Sequence, residues 1–198
     1  LDATATMTLT NGSKVVVNNL NGMGIGYEAY GVMDIEATST FEATQSFLVG
    51  AKGTMNIAGT ATIANALTNN GQVNVAGIAN LAALTNNGQV NVAGGTVKVA
   101  SGKTLANAGT VYVTGNATID AKVTGAGWFY MNGVNLNAAT KLDGAKVAFI
   151  NGTNNVEGST IKNGFFSVGV GQNAEAEKAA AFATANALTL GSVVVNVS

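Results

Sequence analysis

A phrase of twelve residues, Ala66 to Gly77 (ALTNNGQVNVAG), recurs without a change at Ala83 to Gly94, 17 positions further on. A unit that short cannot enclose a core. It can bury an apolar face only by lying against a copy of itself, so the repeat points to a solenoid in which each copy is one turn. Looser versions extend the pattern. Gly53 to Gly59, Gly71 to Gly77, Gly88 to Gly94, Gly109 to Gly115 and Gly127 to Gly133 each hold five residues between two glycines. Their first glycines are 18, 17, 21 and 18 residues apart.

In each of these units the third and fifth residues are apolar: Met55 and Ile57, Val73 and Val75, Val90 and Val92, Val111 and Val113, Phe129 and Met131. Alternation with period two makes a half-buried strand, so these side chains turn inward and Asn56, Asn74, Asn91, Tyr112 and Tyr130 turn outward. A second strand is expected at Thr62–Ala64, Thr96–Val99, Thr118–Asp120 and Val134–Leu136, and a third around Leu67, Leu84, Leu105, Val123 and Leu142. Three short strands in about 18 residues, with Asn or Gly at the bends, describe one rung of a parallel β-helix. The Asn69-Asn70-Gly71 and Asn86-Asn87-Gly88 corners should superpose, and stacked amides can bond along the axis. A meander of hairpins predicts two-residue turns rather than a bend pattern returning every 17–21 residues. The fold class expected is therefore all-β, a parallel β-helix with about 17–21 residues per rung. Two further echoes, Lys146 to Gly152 and Gly164 to Gly171, carry it towards residue 171.

The flanks are less repetitive. Ala3, Ala5, Met7 and Leu9 alternate with Thr4, Thr6, Thr8 and Thr10; Asn11-Gly12 follows, then Val15 to Val17. Asn-Gly between two such runs predicts a β-hairpin, because a type I′ turn needs positive φ at both positions. The Gly22, Gly24, Gly26 run lacks the strand-and-helix setting of a nucleotide loop and reads as a turn. Glu28, Asp34, Glu36 and Glu42 lack the spacing of a calcium loop and read as solvated strand faces. Asn173 to Leu188 is rich in Ala, with Asn173 as a cap and Glu175 and Glu177 in the first turn, which predicts a helix closing one end of the stack. Ser192 to Ser198 reads as a terminal strand. The expected organisation is 1–50 as a terminal strand or hairpin with irregular first rungs, 51–171 as the repeats, and 172–198 as a helical cap plus strand.

Composition removes several functions. No Cys and no His are present among the 198 residues, and the acids are scattered. That leaves no thiol nucleophile, no imidazole base and no recognisable metal cluster. We therefore expect no catalytic residues, no cofactor and no metal: not an enzyme. Nine Lys, no Arg and ten acids give a net charge of −1. This balance argues against nucleic acid and anionic membrane as partners. No apolar run is long enough to span a bilayer as a helix. The beginning at Leu1-Asp2-Ala3 is compatible with a mature exported protein, and Asn11, Asn116 and Asn151 lie in Asn-x-Ser/Thr sequons.

The LTNNGxVNVAG phrasing, over roughly residues 50–171, resembles the passenger repeats of autotransporters and of filamentous-haemagglutinin-type adhesins. The resemblance implies a right-handed parallel β-helix at a bacterial cell surface. Two functions suit such a chain. One is an exported structural subunit forming a filament, sheath or surface layer with copies of itself, through strands at the two ends; Thr4, Thr6, Thr8, Val193, Val195 and Val197 are the candidate subunit contacts. The other is a surface adhesin or glycan-binding module, with Trp128 and Tyr130 as candidate sugar contacts. A polysaccharide lyase or hydrolase needs a positioned base or carboxylate pair that this sequence does not offer.

Overall fold

The structure, a computed structural model, describes residues 4–18, 23–132, 140–155, 160–162, 165–168, 180–183, 189–191 and 194–197. Among them the strands form two long sheets in which every pairing between turns is parallel and each turn pairs with the next in chain order. This is a parallel β-solenoid. Turn one contributes Thr4–Leu9 to the first sheet, then Lys14–Val17 and Met23–Ile25 to the second. Turn two follows with Tyr30–Ile35, Thr40–Ala43 and Phe47–Val49. In turns three and four the two strands of the second sheet run together, as Gly53–Ile57 then Thr60–Asn69, and Gln72–Val75 then Ile78–Asn86. Turn five is Gln89–Ala93, Thr96–Val99 and Thr104–Asn107; turn six is Thr110–Thr114, Thr118–Asp120 and Lys122–Thr124. Trp128–Asn132 and Lys141–Asp143 belong to turn seven. The strands Lys146–Asn155, Thr160–Lys162, Phe165–Val168, Ala180–Ala183, Thr189–Gly191 and Val194–Val197 continue the stack.

The core consists of columns running along the axis. Met33, Met55, Val73, Val90, Val111, Phe129 and Val147 are register partners in succession, and Ile35, Ile57, Val75, Val92, Val113, Met131 and Phe149 form the column beside them. All are buried. Each such side chain contributes roughly 1.5–3 kcal/mol of transfer free energy, so the columns dominate the stability. The opposite wall is built from Leu67, Leu84, Leu105, Val123 and Leu142, the residues expected to form the third strand.

Backbone bonds between turns continue through the corners, where the Asn87 and Gly88 amides both donate to the Asn69 carbonyl (2.8 and 3.1 Å). Buried asparagines add a second set of bonds there. Asn69, Asn86 and Asn107 stack at successive corners; Asn69 Nδ2 donates to Asn86 Oδ1 (2.8 Å), and Asn86 Nδ2 donates to Asn107 Oδ1 (2.8 Å). The same amide groups donate to the carbonyls of Gln89 (2.9 Å) and Thr110 (3.1 Å), while Asn69 Oδ1 accepts from the Gly71 amide (3.1 Å). Asn107 closes the row on the Trp128 carbonyl (3.0 Å). Two residues beyond these asparagines, Gly71, Gly88 and Gly109 pass so close to the turn below that any Cβ would overlap backbone, as does Gly127 one turn on; at Gly88 it would strike the carbonyl oxygen of Gly71.

Three expectations are corrected. Gly24 lies in the strand Met23–Ile25, in register with Leu48, rather than in a turn. Thr4–Leu9 and Lys14–Val17 do not form a hairpin: the first pairs with Tyr30–Ile35, the second with Thr40–Ala43, in different sheets. The turn itself is present, with Asn11 at φ 55° and Gly12 at φ 74° and the Ser13 amide bonded to the Thr10 carbonyl (3.0 Å). It serves as a corner, because the apolar face of each strand is buried only against the turn above. The helix expected over 173–188 is not present at Ala180–Ala183, which is a strand in register with Gly152–Asn155. The hydrogen bonds offered by that preceding strand outweigh the helix propensity of alanine, a weak prior under tertiary pairing. The remainder of 173–188, like the strand expected at Val134–Leu136, lies outside the described residues.

Replacing Asn86 with Leu removes three bonds of the buried row at once, those to Asn69, Asn107 and the Thr110 carbonyl, at a cost of about 3 kcal/mol. The Asn87 side chain donates to Asn70 at an exposed position (2.9 Å), so Asn87→Ala should cost well under about 1 kcal/mol. Urea denaturation followed by circular dichroism distinguishes the two outcomes; equal losses would remove the role assigned to the inner amide row.

Candidate functional site

Among the described residues the first turn is paired on one side only. In the first sheet Thr4–Leu9 lies at the end of the strand order, with Tyr30–Ile35 as its partner. Lys14–Val17 and Met23–Ile25 likewise have partners on one side among the described residues. The side of each strand that carries its free backbone follows from the bonds that do form. Leu9 gives its carbonyl to the Glu36 amide (3.0 Å), so Leu9, Met7 and Ala5 direct their backbone groups to turn two. Backbone groups alternate sides along a strand, so Thr4, Thr6 and Thr8 direct theirs to the open edge. By the same logic Val17 bonds to Thr44 (3.1 Å) and Ile25 to Gly50 (2.8 Å), which leaves Lys14, Val16 and Gly24 on that edge.

The apolar interior is open at this end too. Met7 is in register with buried Met33 yet is 39 % exposed, since no described turn lies on its other side. Val15, Val17, Met23 and Ile25 pack on the core while only partly buried. Natural sheet edges are usually blunted by charge, proline or a bulge. Thr4–Leu9 has no charged residue and no proline. Lys14 supplies the one charge on the neighbouring strand, and Glu42 holds it at 2.7 Å. At the far end Val194–Val197 closes the strand order of the first sheet, with Val195 opposite Phe166 and Val197 opposite Val168. Val193 lies outside the described residues. Of the candidate contacts, Thr4, Thr6, Thr8, Val195 and Val197 thus fall at the two ends of one sheet, and Thr4, Thr6 and Thr8 turn their backbone groups to its edge.

The outward face of the first sheet carries a second row of amides. Asn91 donates to Asn74 (2.7 Å), Asn74 to Asn56 (2.7 Å), and Asn56 to the carboxylate of Asp34 (2.6 Å). A carboxylate only accepts, so Asp34 fixes the direction of the entire row. Gln72 and Gln89 brace it from the side, at 3.0 and 2.8 Å. One position beyond Asn91 the row turns aromatic. The Tyr112 and Tyr130 rings are stacked 4.8 Å apart with planes 14° off parallel. Trp128 lies 5.4 Å from Tyr130 at 11°, and Lys146 Nζ stands 5.6 Å from the Trp128 ring centre. Trp128 and Tyr130 are therefore brought together as expected, but Tyr130 is only 3 % exposed. Its ring face meets other rings rather than solvent. Phe129 and Phe149 on the alternate positions are buried in the core.

Among the described residues no group of three His, Cys, Asp or Glu side chains stands close enough to hold a metal ion. No helix among them is long and apolar enough to cross a membrane. Comparison with protein-family models, curated proteins and solved structures returns no match. The likeness to autotransporter passengers thus holds at the level of the β-solenoid, and the family assignment has no further support.

Trp128 is the only tryptophan in the chain, so its optical signals report on the stack directly. Tyr130→Ala should remove a strong near-ultraviolet circular dichroism band, raise acrylamide quenching of Trp128 and cost about 3 kcal/mol. An unchanged spectrum would mean that the rings are not stacked in solution.

Proposed function

We propose that this chain is a structural subunit, exported and placed outside the cell, that adds to copies of itself turn upon turn to form a filament, sheath or layer. The observation that carries this reading is the first turn: uncharged, unprolined backbone at Thr4, Thr6 and Thr8 beside the exposed ends of the Met7, Val15, Val17, Met23 and Ile25 columns. A further turn would satisfy those groups and extend the same columns. Val194–Val197 of a neighbouring copy is such a turn by position and pattern. A head-to-tail contact of this kind does not close on itself and propagates as a fibre. The low charge fits the role, since stacked like residues make every charged column self-repelling. No catalytic chemistry is assigned, and neither nucleic acid nor membrane insertion enters the reading.

The glycan-binding alternative has narrower support. Trp128 is partly exposed, but the stacked rings and the burial of Tyr130 leave a sugar only the rim of the cluster.

Thr6→Pro separates folding from assembly. Its amide points away from Tyr30–Ile35, its partner strand among the described residues, and proline is tolerated on an edge whose N–H faces solvent. The variant should keep the wild-type circular dichroism spectrum and lower thermal stability by less than about 1 kcal/mol. It should not form the fibres or sedimenting polymers that concentrated wild-type protein gives in electron microscopy and analytical centrifugation. Wild-type protein that stays monomeric at every concentration, or Thr6→Pro protein that polymerises equally well, would remove the proposal.

A further inference from the structure

Four of the nine lysines gather at one place on the lateral surface, far from the open turn in the strand order. The cause is a change in corner length. Between the two strands of the second sheet, turn four has Ala82 alone between register-paired Leu81 and Ala83, and turn six has Ala121 alone between Asp120 and Lys122. Turn five instead inserts Ala100, Ser101, Gly102 and Lys103, a tight loop closed by the Lys103 amide on the Ala100 carbonyl (3.0 Å) with Gly102 at φ 77°. That loop projects past its neighbours and forms one wall of a groove of about 370 Å³. Lys98, Lys103, Lys122 and Lys141 line it against a single acid, Asp120, with Val99, Ala100 and Ala121 as its apolar part. A shallower depression over Ala64 and Ala82 continues it along the axis and shares Lys98 and Ala100.

The charges there are poorly balanced. Lys98 is the register partner of Asp120, and Lys122 Nζ is 3.9 Å from Asp143. Lys122 and Lys141, however, are partners in one column, which puts two ammonium groups on adjacent strands about 4.8 Å apart at the backbone. Like charges directly opposite are destabilising. Lys103 and Lys141 make no ion pair or side-chain hydrogen bond among the described residues. A chain that otherwise spends so little on charge has concentrated its cations where they repel each other, in a concave place of ligand size.

We propose that this groove binds a linear acidic saccharide. Its carboxylate or sulfate groups would lie on Lys103, Lys122 and Lys141, relieving the repulsion, and the apolar faces of its sugar rings would lie on Ala100 and Ala121. A saccharide suits this apolar part better than an acidic peptide, because methyl groups and a flat strand surface offer a ring support but give alternate peptide side chains no pockets. The absence of Arg disfavours a phosphate backbone, for which bidentate donors are the usual choice.

The test uses the full chain and titration calorimetry with a sulfated hexasaccharide at low salt. It is repeated in the Thr6→Pro background, so that binding is read independently of whether the subunits assemble. The expected result is saturable binding that weakens as salt is raised. Replacing Lys103 and Lys141 together with Gln should weaken it about tenfold, while Lys14→Gln, at the far end of the stack, leaves it unchanged. Spectra matching those of the parent protein confirm that the double variant is folded. Absence of binding, equal binding of the unsulfated hexasaccharide, equal loss in Lys14→Gln, or tighter binding of a polyglutamate peptide would each overturn the assignment.

Discussion

Everything in this fold depends on the hydrogen bonds between one turn and the next. Because the pairing is parallel and in register, a residue's closest lateral neighbour is the one a full turn away, 17 positions at Asn74 and Asn91 and 21 at Asn91 and Tyr112. Side chains are therefore selected in columns rather than singly. Valine above valine packs well, and asparagine above asparagine bonds well. Lysine above lysine repels. The composition follows from this rule: Val, Ala, Thr, Asn and Gly recur because they tolerate stacking on themselves, and the few charges sit where a partner or an unusual corner accommodates them.

The two asparagine rows show how polar groups serve such a stack. The buried row at Asn69, Asn86 and Asn107 donates towards later turns and to the carbonyls of Gln89, Thr110 and Trp128, where the next strands begin. The outer row from Asn91 to Asp34 donates in the opposite sense, towards an ionised acceptor. Neither row exists in a single turn. Both add cooperativity between turns, which explains how a narrow solenoid with small side chains stays specific in register.

The columns were legible in the sequence because the repeat length was constant enough to align them. The inward positions of Met55 to Phe129, the outward Asn and Tyr positions and the glycine corners could all be placed by counting. The hairpin at Asn11-Gly12 could not be excluded that way, since a turn with two positive φ angles looks the same whether the next strand returns or moves on to another face. Ala180–Ala183 was misread for a related reason: intrinsic helix propensity is local, and the strand that captures it lies at Gly152–Asn155. The lysine groove was hidden because net charge and spacing treat Lys98, Lys103, Lys122 and Lys141 as unrelated. Only the four-residue corner of turn five brings them to one surface.

The central claim is like-on-like stacking of successive turns, and distances along one column measure it most directly. The chain has no cysteine, so spin labels can be placed cleanly at pairs such as Asp34 with Tyr112, which are four turns apart in one register column. Double electron–electron resonance should give a separation near 19 Å between backbones, growing by about 4.8 Å when the second label is moved up one turn to Tyr130. A separation that shortens on that move, or alternates from turn to turn as strands folded back on one another require, would contradict the account.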